Sequence, residues 1–187
     1  MPVLVLLVLA GLAAGGYELW QHEHKSSKTG GGGNPPPASA ATVHLTAYTA
    51  YDPSPGNGHE RNDLLSRATD GDPSTYWQTE HYTTAAFGNL KKGVGIVFDA
   101  GKDVRLGSLT VKTGTPGFSA EVEAGSSSQG PFSPVSKAQT VANPTTFTLN
   151  VPNAKRYYVI WITQLVRFDT GDPVHPYGAQ IAEVTAS

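Results

Sequence analysis

Two carboxylates stand one residue apart in the run Ala68-Thr69-Asp70-Gly71-Asp72-Pro73-Ser74-Thr75-Tyr76-Trp77. Gly71 lets the backbone fold between them, Pro73 stiffens the exit, and Thr75 adds a hydroxyl. Hard oxygen donors gathered on one tight turn suit Ca²⁺ rather than zinc; the same residues also make an ordinary Asp-Gly surface turn. The run is not an EF-hand loop. Counted from Asp70, the sixth position is Thr75 instead of Gly and the twelfth is His81 instead of Glu. Trp77, directly after the turn, is expected in the core.

Other chemistries find less support. The chain has no Cys, which excludes a thiol nucleophile, a disulfide framework and a Cys-type zinc site. Asp169-Thr170-Gly171 matches one aspartic-protease triplet, but that chemistry needs two, and Asp172-Pro173 after it reads as a turn. No Gly-x-Ser-x-Gly elbow occurs, and the stretch Gly88 to Gly95 lacks the Gly-Lys-Ser/Thr ending of a phosphate loop. His59, His81 and His175 fall in loops, where a histidine is more often solvated or hydrogen-bonded than catalytic. The reading is therefore non-enzymatic. A net charge of −2 with only 15% charged residues gives no electrostatic footprint for nucleic acid.

The elements that must position these residues are strands. Val43, Leu45 and Ala47 alternate with polar neighbours, as do Val94, Ile96 and Phe98, then Ala120, Val122 and Ala124, then Phe147, Leu149 and Val151. Leu109 and Val111 continue a run begun by Val104 and Leu106, with a phase slip at Gly107–Ser108 that predicts a bulge. Tyr157 to Ile162 is apolar on both faces, the pattern of a central buried strand. Ile181 to Thr185 closes the chain, and Arg61–Ala68 is the one helix candidate. Strands separated by Thr-Pro-Gly, Gln-Gly-Pro and Asn-Pro turns predict an all-β sandwich over residues 42–187.

Two segments precede that domain. Residues 2–20 carry a single charge, Glu18, and at 1.5 Å per residue reach about 28 Å, close to a bilayer core. Tyr17 and Trp20 sit where interfacial aromatics belong. The expectation is a transmembrane helix or signal anchor, with a cleaved signal peptide as the alternative. Residues 21–41, with a Gly run and Pro35-Pro36-Pro37, read as a linker. Lys25 and Lys28 follow the apolar run, and taken alone they would keep the domain cytoplasmic.

The Ala-Thr-Asp-Gly-Asp-Pro-Ser-Thr-Tyr-Trp run resembles the signature of discoidin and coagulation-factor type C domains and of related bacterial carbohydrate-binding modules, which implies the galactose-binding-like jelly-roll β-sandwich. That resemblance implies a structural Ca²⁺ under the turn, with Asp70, Asp72, Thr75 and the distant Glu183 of Ala182-Glu183-Val184 as its ligands. A narrower resemblance rests on Asp52-Pro53, Gly56-Asn57-Gly58-His59-Glu60, Trp77-Gln78-Thr79-Glu80-His81-Tyr82 and Phe87-Gly88-Asn89-Leu90-Lys91-Lys92-Gly93. It is similar to the extracytoplasmic tail of actinobacterial lipid II flippases of the MurJ/MviN type and of transmembrane Ser/Thr kinases. It implies an outward-facing domain of the cell envelope, which with the apolar run at residues 2–20 makes the expectation a single-pass protein of the cell membrane.

In such a sandwich ligands meet the loops at one end. The candidate loops are Tyr48–Glu60, His81–Ala86, Thr113–Phe118 and Arg167–Tyr177. They supply Tyr51, His59, Tyr82, Arg167, Phe168, His175 and Tyr177, aromatic faces and polar forks suited to a sugar ring. The expected partner is a cell-wall glycan or other carbohydrate. The alternative is a protein-interaction or structural domain that docks a membrane protein and binds no sugar.

Overall fold

The computed structural model describes residues 41–187. The expected span at residues 2–20 and, but for Ala41, the linker at 21–41 lie outside these residues. Thirteen strands follow in chain order: β1 (Thr46–Tyr51), β2 (Trp77–Gln78), β3 (Val94–Val104), β4 (Ser108–Lys112), β5 (Ser119–Gly125), β6 (Ser133–Pro134), β7 (Gln139–Thr140), β8 (Thr145–Thr148), β9 (Lys155–Gln164), β10 (Val166–Arg167), β11 (Tyr177–Gly178), β12 (Gln180–Ile181) and β13 (Glu183–Ala186). The helix candidate forms as a 3₁₀ segment at Asn62–Ala68.

The large sheet runs β1-β3-β9-β5-β6, with β7 also on β5, and a smaller sheet runs β13-β4-β8. Every long pairing is antiparallel. Alternation decides what lies between the sheets. Ile96, Ile160 and Val122 share one cross-strand row and face Leu109, Val111, Phe147 and Val184 of the smaller sheet in one apolar cluster. Trp77 is fully buried in it, as expected, and its indole N–H donates to the Glu60 carbonyl at 2.8 Å. A buried indole needs such an acceptor.

The phase slip at Gly107–Ser108 is not a bulge. It is the boundary between β3 and β4, which belong to different sheets. Tyr158 pins that boundary: its hydroxyl donates to the Val104 carbonyl at 2.6 Å and accepts from Leu106 N–H at 3.3 Å. The bulge that does occur near the amino-terminal strand lies between Ala47 and Thr49 in β1.

The antiparallel register also collects the four candidate loops. Tyr51 at the end of β1 pairs with Gly95 near the start of β3, Val94 pairs with Ile162 near the end of β9, and Gln164 pairs with Ser119 at the start of β5. The loops after β1, before β3, after β9 and before β5 therefore leave the same end of the large sheet.

Replacing Trp77 with Ala should cost about 3–5 kcal/mol, the range for truncating a large buried aromatic, and also leaves the Glu60 carbonyl without its donor. Urea unfolding followed by circular dichroism measures this. A Trp77→Ala protein with wild-type midpoint would contradict the placement.

Candidate functional site: the loop end of the large sheet

The loops at this end are tied together beneath their surface. Asp52, just past β1, and Glu60 have side chains with no exposed area, and Lys91 reaches both, at 2.8 Å and 3.1 Å. Glu60 is held from four directions. Its Oε2 accepts the Glu80 N–H at 2.6 Å. Its Oε1 accepts a short hydrogen bond from the Tyr82 hydroxyl as well as the Lys91 ammonium, and its carbonyl takes the Trp77 indole. Asp52 Oδ2 in turn accepts Asn57 N–H at 2.8 Å. Burial pushes the Glu60 carboxyl above the usual range, although the Tyr82, Glu80 and Lys91 hydrogen bonds oppose this. Burial works against the Lys91 charge, but its bonds to Asp52 and Glu60 outweigh it and hold its pKa up. Both groups thus keep their protons more tightly than in water.

This network relocates one candidate. Tyr82 is 7% exposed, with its hydroxyl turned inward to Glu60, so it supports the loops from below and presents no ring to a ligand. Burial, then the Glu60 bond, drive its phenol pKa far up. Tyr177 lies alongside, bridged to Tyr82 and paired with Arg167 across β10–β11. Tyr51 is at this end of β1, but its ring lies on the outward face of the large sheet beside Trp161. His59 is exposed, with its N–H on Asn57 Oδ1.

The remaining candidates cluster on the loop after β10. Arg167, Phe168, Asp169, Asp172 and Pro176 line a cleft of about 540 Å³, within the size range of small-ligand sites. The Asp169-Thr170-Gly171 segment is a turn, with Gly171 N–H on Asp169 Oδ1 at 3.0 Å. His175 Nδ1 meets Asp172 Oδ2 at 2.7 Å, and that bond is the main reason the Asp172 carboxyl sits below its ordinary pKa. With Nδ1 engaged, Nε2 of His175 is left for a ligand.

His81 joins this group and is the residue that motif reading left out. Its ring meets Phe168 edge-on at 6.0 Å. Burial, then Arg61, lower its pKa against the pull of Glu80 and Asp172, which favours the uncharged ring. Its Nε2 is shielded and has no hydrogen-bond partner among the described residues. The sequence signal for it was the Trp-Gln-Thr-Glu-His-Tyr run. Thr113–Phe118, by contrast, is tied down: Thr113 Oγ1 donates to the Gln180 carbonyl at 2.6 Å, and Thr115 Oγ1 accepts Gln180 N–H at 2.9 Å.

The acidic turn lies elsewhere, near β1 and β13. Asp70 Oδ2 accepts Thr75 Oγ1 at 2.6 Å, and Thr75 Oγ1 is 3.1 Å from the Asp72 carbonyl. Glu183 Oε2 accepts Gly71 N–H at 2.8 Å across 112 residues. Burial, and further the Asp70 charge, raise the Glu183 carboxyl. The Asp72 carboxylate instead faces Ser74, accepting its N–H at 2.9 Å and its hydroxyl at 2.6 Å. Among the described residues no group of three or more His, Cys, Asp or Glu side chains is placed to hold a metal. The donors gathered here are two carboxylates, a hydroxyl and a carbonyl, an all-oxygen set that fits a hard cation.

No family model matches the chain, and no curated protein matches it by sequence. Solved structures do match. A chitosan-binding module from a chitosanase/glucanase of Paenibacillus sp. IK-5 is similar at a TM-score of 0.55 and 16% identity over 79% of this chain and 99% of that one. A family 32 carbohydrate-binding module from a family 31 glycoside hydrolase of Clostridium perfringens is similar at 0.54 and 16% over 76% and 90%. The fold is that of these modules. The family 32 module of C. perfringens NanJ, solved with galactose, is similar at 0.50 and 20% identity over 78% and 96%. The chain also spans 23% of the length of a Ruminococcus gnavus GH29 fucosidase, at a TM-score of 0.49. The galactose-binding-like sandwich expected from the Asp-Gly-Asp-Pro run is thus the observed architecture.

Lys91→Met should destabilise the protein by about 3–5 kcal/mol at pH 7, because it strands two buried carboxylates. Glu60, already raised by burial, loses the opposing Lys91 bond and charge, so the added penalty is absent at low pH and grows as pH rises through the carboxylate range. Denaturant midpoints of wild type and Lys91→Met at pH 4 and pH 7 test this. A gap that widens on acidification would contradict it.

Proposed function

We propose that this chain is a membrane-tethered, non-catalytic carbohydrate-binding module of the cell envelope. The observation that carries this reading is the cluster of Phe168, Arg167, His175, Asp172 and His81 on rigidly supported loops at one end of the sandwich. The partly exposed phenyl ring of Phe168 takes the apolar face of a pyranose. Arg167 donates, and the His175–Asp172 pair both donates and accepts, which suits a sugar's hydroxyl fork. The module fold shared with sugar-binding proteins supports the reading, the apolar run at residues 2–20 supports a tether, and the resemblance to extracytoplasmic tails supports an outward-facing domain. A tether makes weak binding sufficient, since it fixes a high local concentration.

Titrating the isotope-labelled domain with galactose and with muropeptides, followed by nuclear magnetic resonance, tests this. The expected result is fast-exchange shifts at Arg167, Phe168 and His175 with dissociation in the millimolar range, about −4 kcal/mol. Shifts absent at about ten times that range, or confined to other residues, would overturn it and favour a protein-docking role.

A structural Ca²⁺ belongs to the same proposal. Asp70, Thr75 and Glu183 would hold it through side-chain oxygens, and Asp72 through its carbonyl. Bound there, the ion would join the turn to the last strand. Ca²⁺ at a hundred times its dissociation constant should add about 2.7 kcal/mol of stability, seen as a higher melting temperature that Asp70→Ala abolishes. Melting unaffected by Ca²⁺ or chelator would make the turn an ordinary one.

A further inference from the structure

The outward face of the large sheet carries chemistry that the loop site does not use. An antiparallel sheet with one face in the core ordinarily turns polar residues to water on the other. Here Val97 and Val159 pair across β3 and β9. Both are fully buried, yet neither belongs to the sandwich core, whose members on these strands include Ile96, Phe98, Tyr158 and Ile160. Alternation places Tyr51 and Trp161 on this outward face, and Phe132 folds onto it after β5. The Tyr51 ring lies 5.0 Å from that of Phe132 and 5.2 Å from that of Trp161, both edge-to-face.

These rings are fixed in place. A Cβ on Gly93 would sit 2.6 Å from Cζ2 of the Trp161 indole, and one on Gly125 2.7 Å from Cδ1 of Phe132. Both rings lie against backbone that only glycine leaves open, and all three stay partly exposed. Beside them, Glu121 pairs across from Trp161 and Glu123 from Val159. Neither glutamate forms an ion pair or side-chain hydrogen bond among the described residues. Burial, then Glu121, raise the Glu123 carboxyl, and burial, then Glu123, raise the Tyr51 phenol. Arg156, stacked over Tyr157 farther along the same face, is already paired with Asp99, so among the described residues no cation meets these two carboxylates.

We propose that this face is a second carbohydrate platform, specific for a 2-amino-2-deoxy-pyranose chain with free ammonium groups. The Trp161 indole takes the apolar face of one sugar ring with Tyr51 tilted against its edge, and Glu121 with Glu123 take its ammonium. Aromatic faces and carboxylates both favour a cation, and the same carboxylates repel an acidic glycan. A basic peptide shares the charge, but peptides that recognise sheets add to an edge, and this is a sheet face. The proposal goes beyond the loop site and shares no residue with the Phe168 cluster.

The test is calorimetric titration of the full chain, in detergent micelles, with the glucosamine tetramer and with its N-acetylated counterpart. The expected result is binding of the tetramer, at least tenfold weaker binding of the acetylated form, and at least tenfold loss in Trp161→Ala. The double variant Glu121→Gln/Glu123→Gln, at partly exposed positions, should lose as much and decides the matter if Trp161→Ala does not fold. Excess galactose should leave the tetramer in place. Displacement by galactose would put the tetramer at the loop site and overturn the proposal, whether or not galactose binding itself is found. Equal affinity for the acetylated form, equal competition by tetralysine, or no binding of the tetramer would overturn it as well.

Discussion

A carboxylate with no exposed surface must find partners for both its oxygens or destabilise the fold that buries it. Glu60 finds them in Glu80 N–H, the Tyr82 hydroxyl and Lys91, and its own carbonyl receives Trp77. Through Lys91 the network reaches Asp52, and through Asp52 the Asn57–Gly58 turn. One ionic group thus fixes the loop after β1, the exit from β2 and the loop before β3 against each other. A shallow sugar site has little binding energy with which to order its own loops. At this end of the sandwich that ordering is already supplied from beneath.

The fold was legible because its main signal is local. Period-two alternation in Val94–Phe98 and Ala120–Ala124 survives into the structure as core rows, and the Asp-Gly-Asp-Pro run anticipated both the turn and Trp77. The Val104–Val111 stretch was misread because alternation within a strand and across a sheet-to-sheet crossing look alike in sequence. What separates them is the Tyr158 hydroxyl, contributed from β9.

The site was legible only in outline. Loop membership places Arg167, Phe168 and His175 at one end of the large sheet, but it says nothing of which way a ring points. Tyr82 turns inward because Glu60, more than twenty residues earlier, needs its hydroxyl. Tyr51 ends on the sheet face because β1 slips register at Ala47–Thr49. Asp72 was counted as a ligand carboxylate, but Ser74 two residues on captures it. Each outcome depends on a partner that spacing alone does not reveal.

The central claim is that the Phe168 cluster holds a sugar. A glycan array probed in parallel with the wild-type protein and Phe168→Ala, with melting temperature as the folding control, tests it most directly. The account predicts selective signal for a small set of terminal sugars that disappears in a Phe168→Ala protein of unchanged melting temperature. Retention of the same signals by that folded variant, or no signal from the wild type, would contradict it.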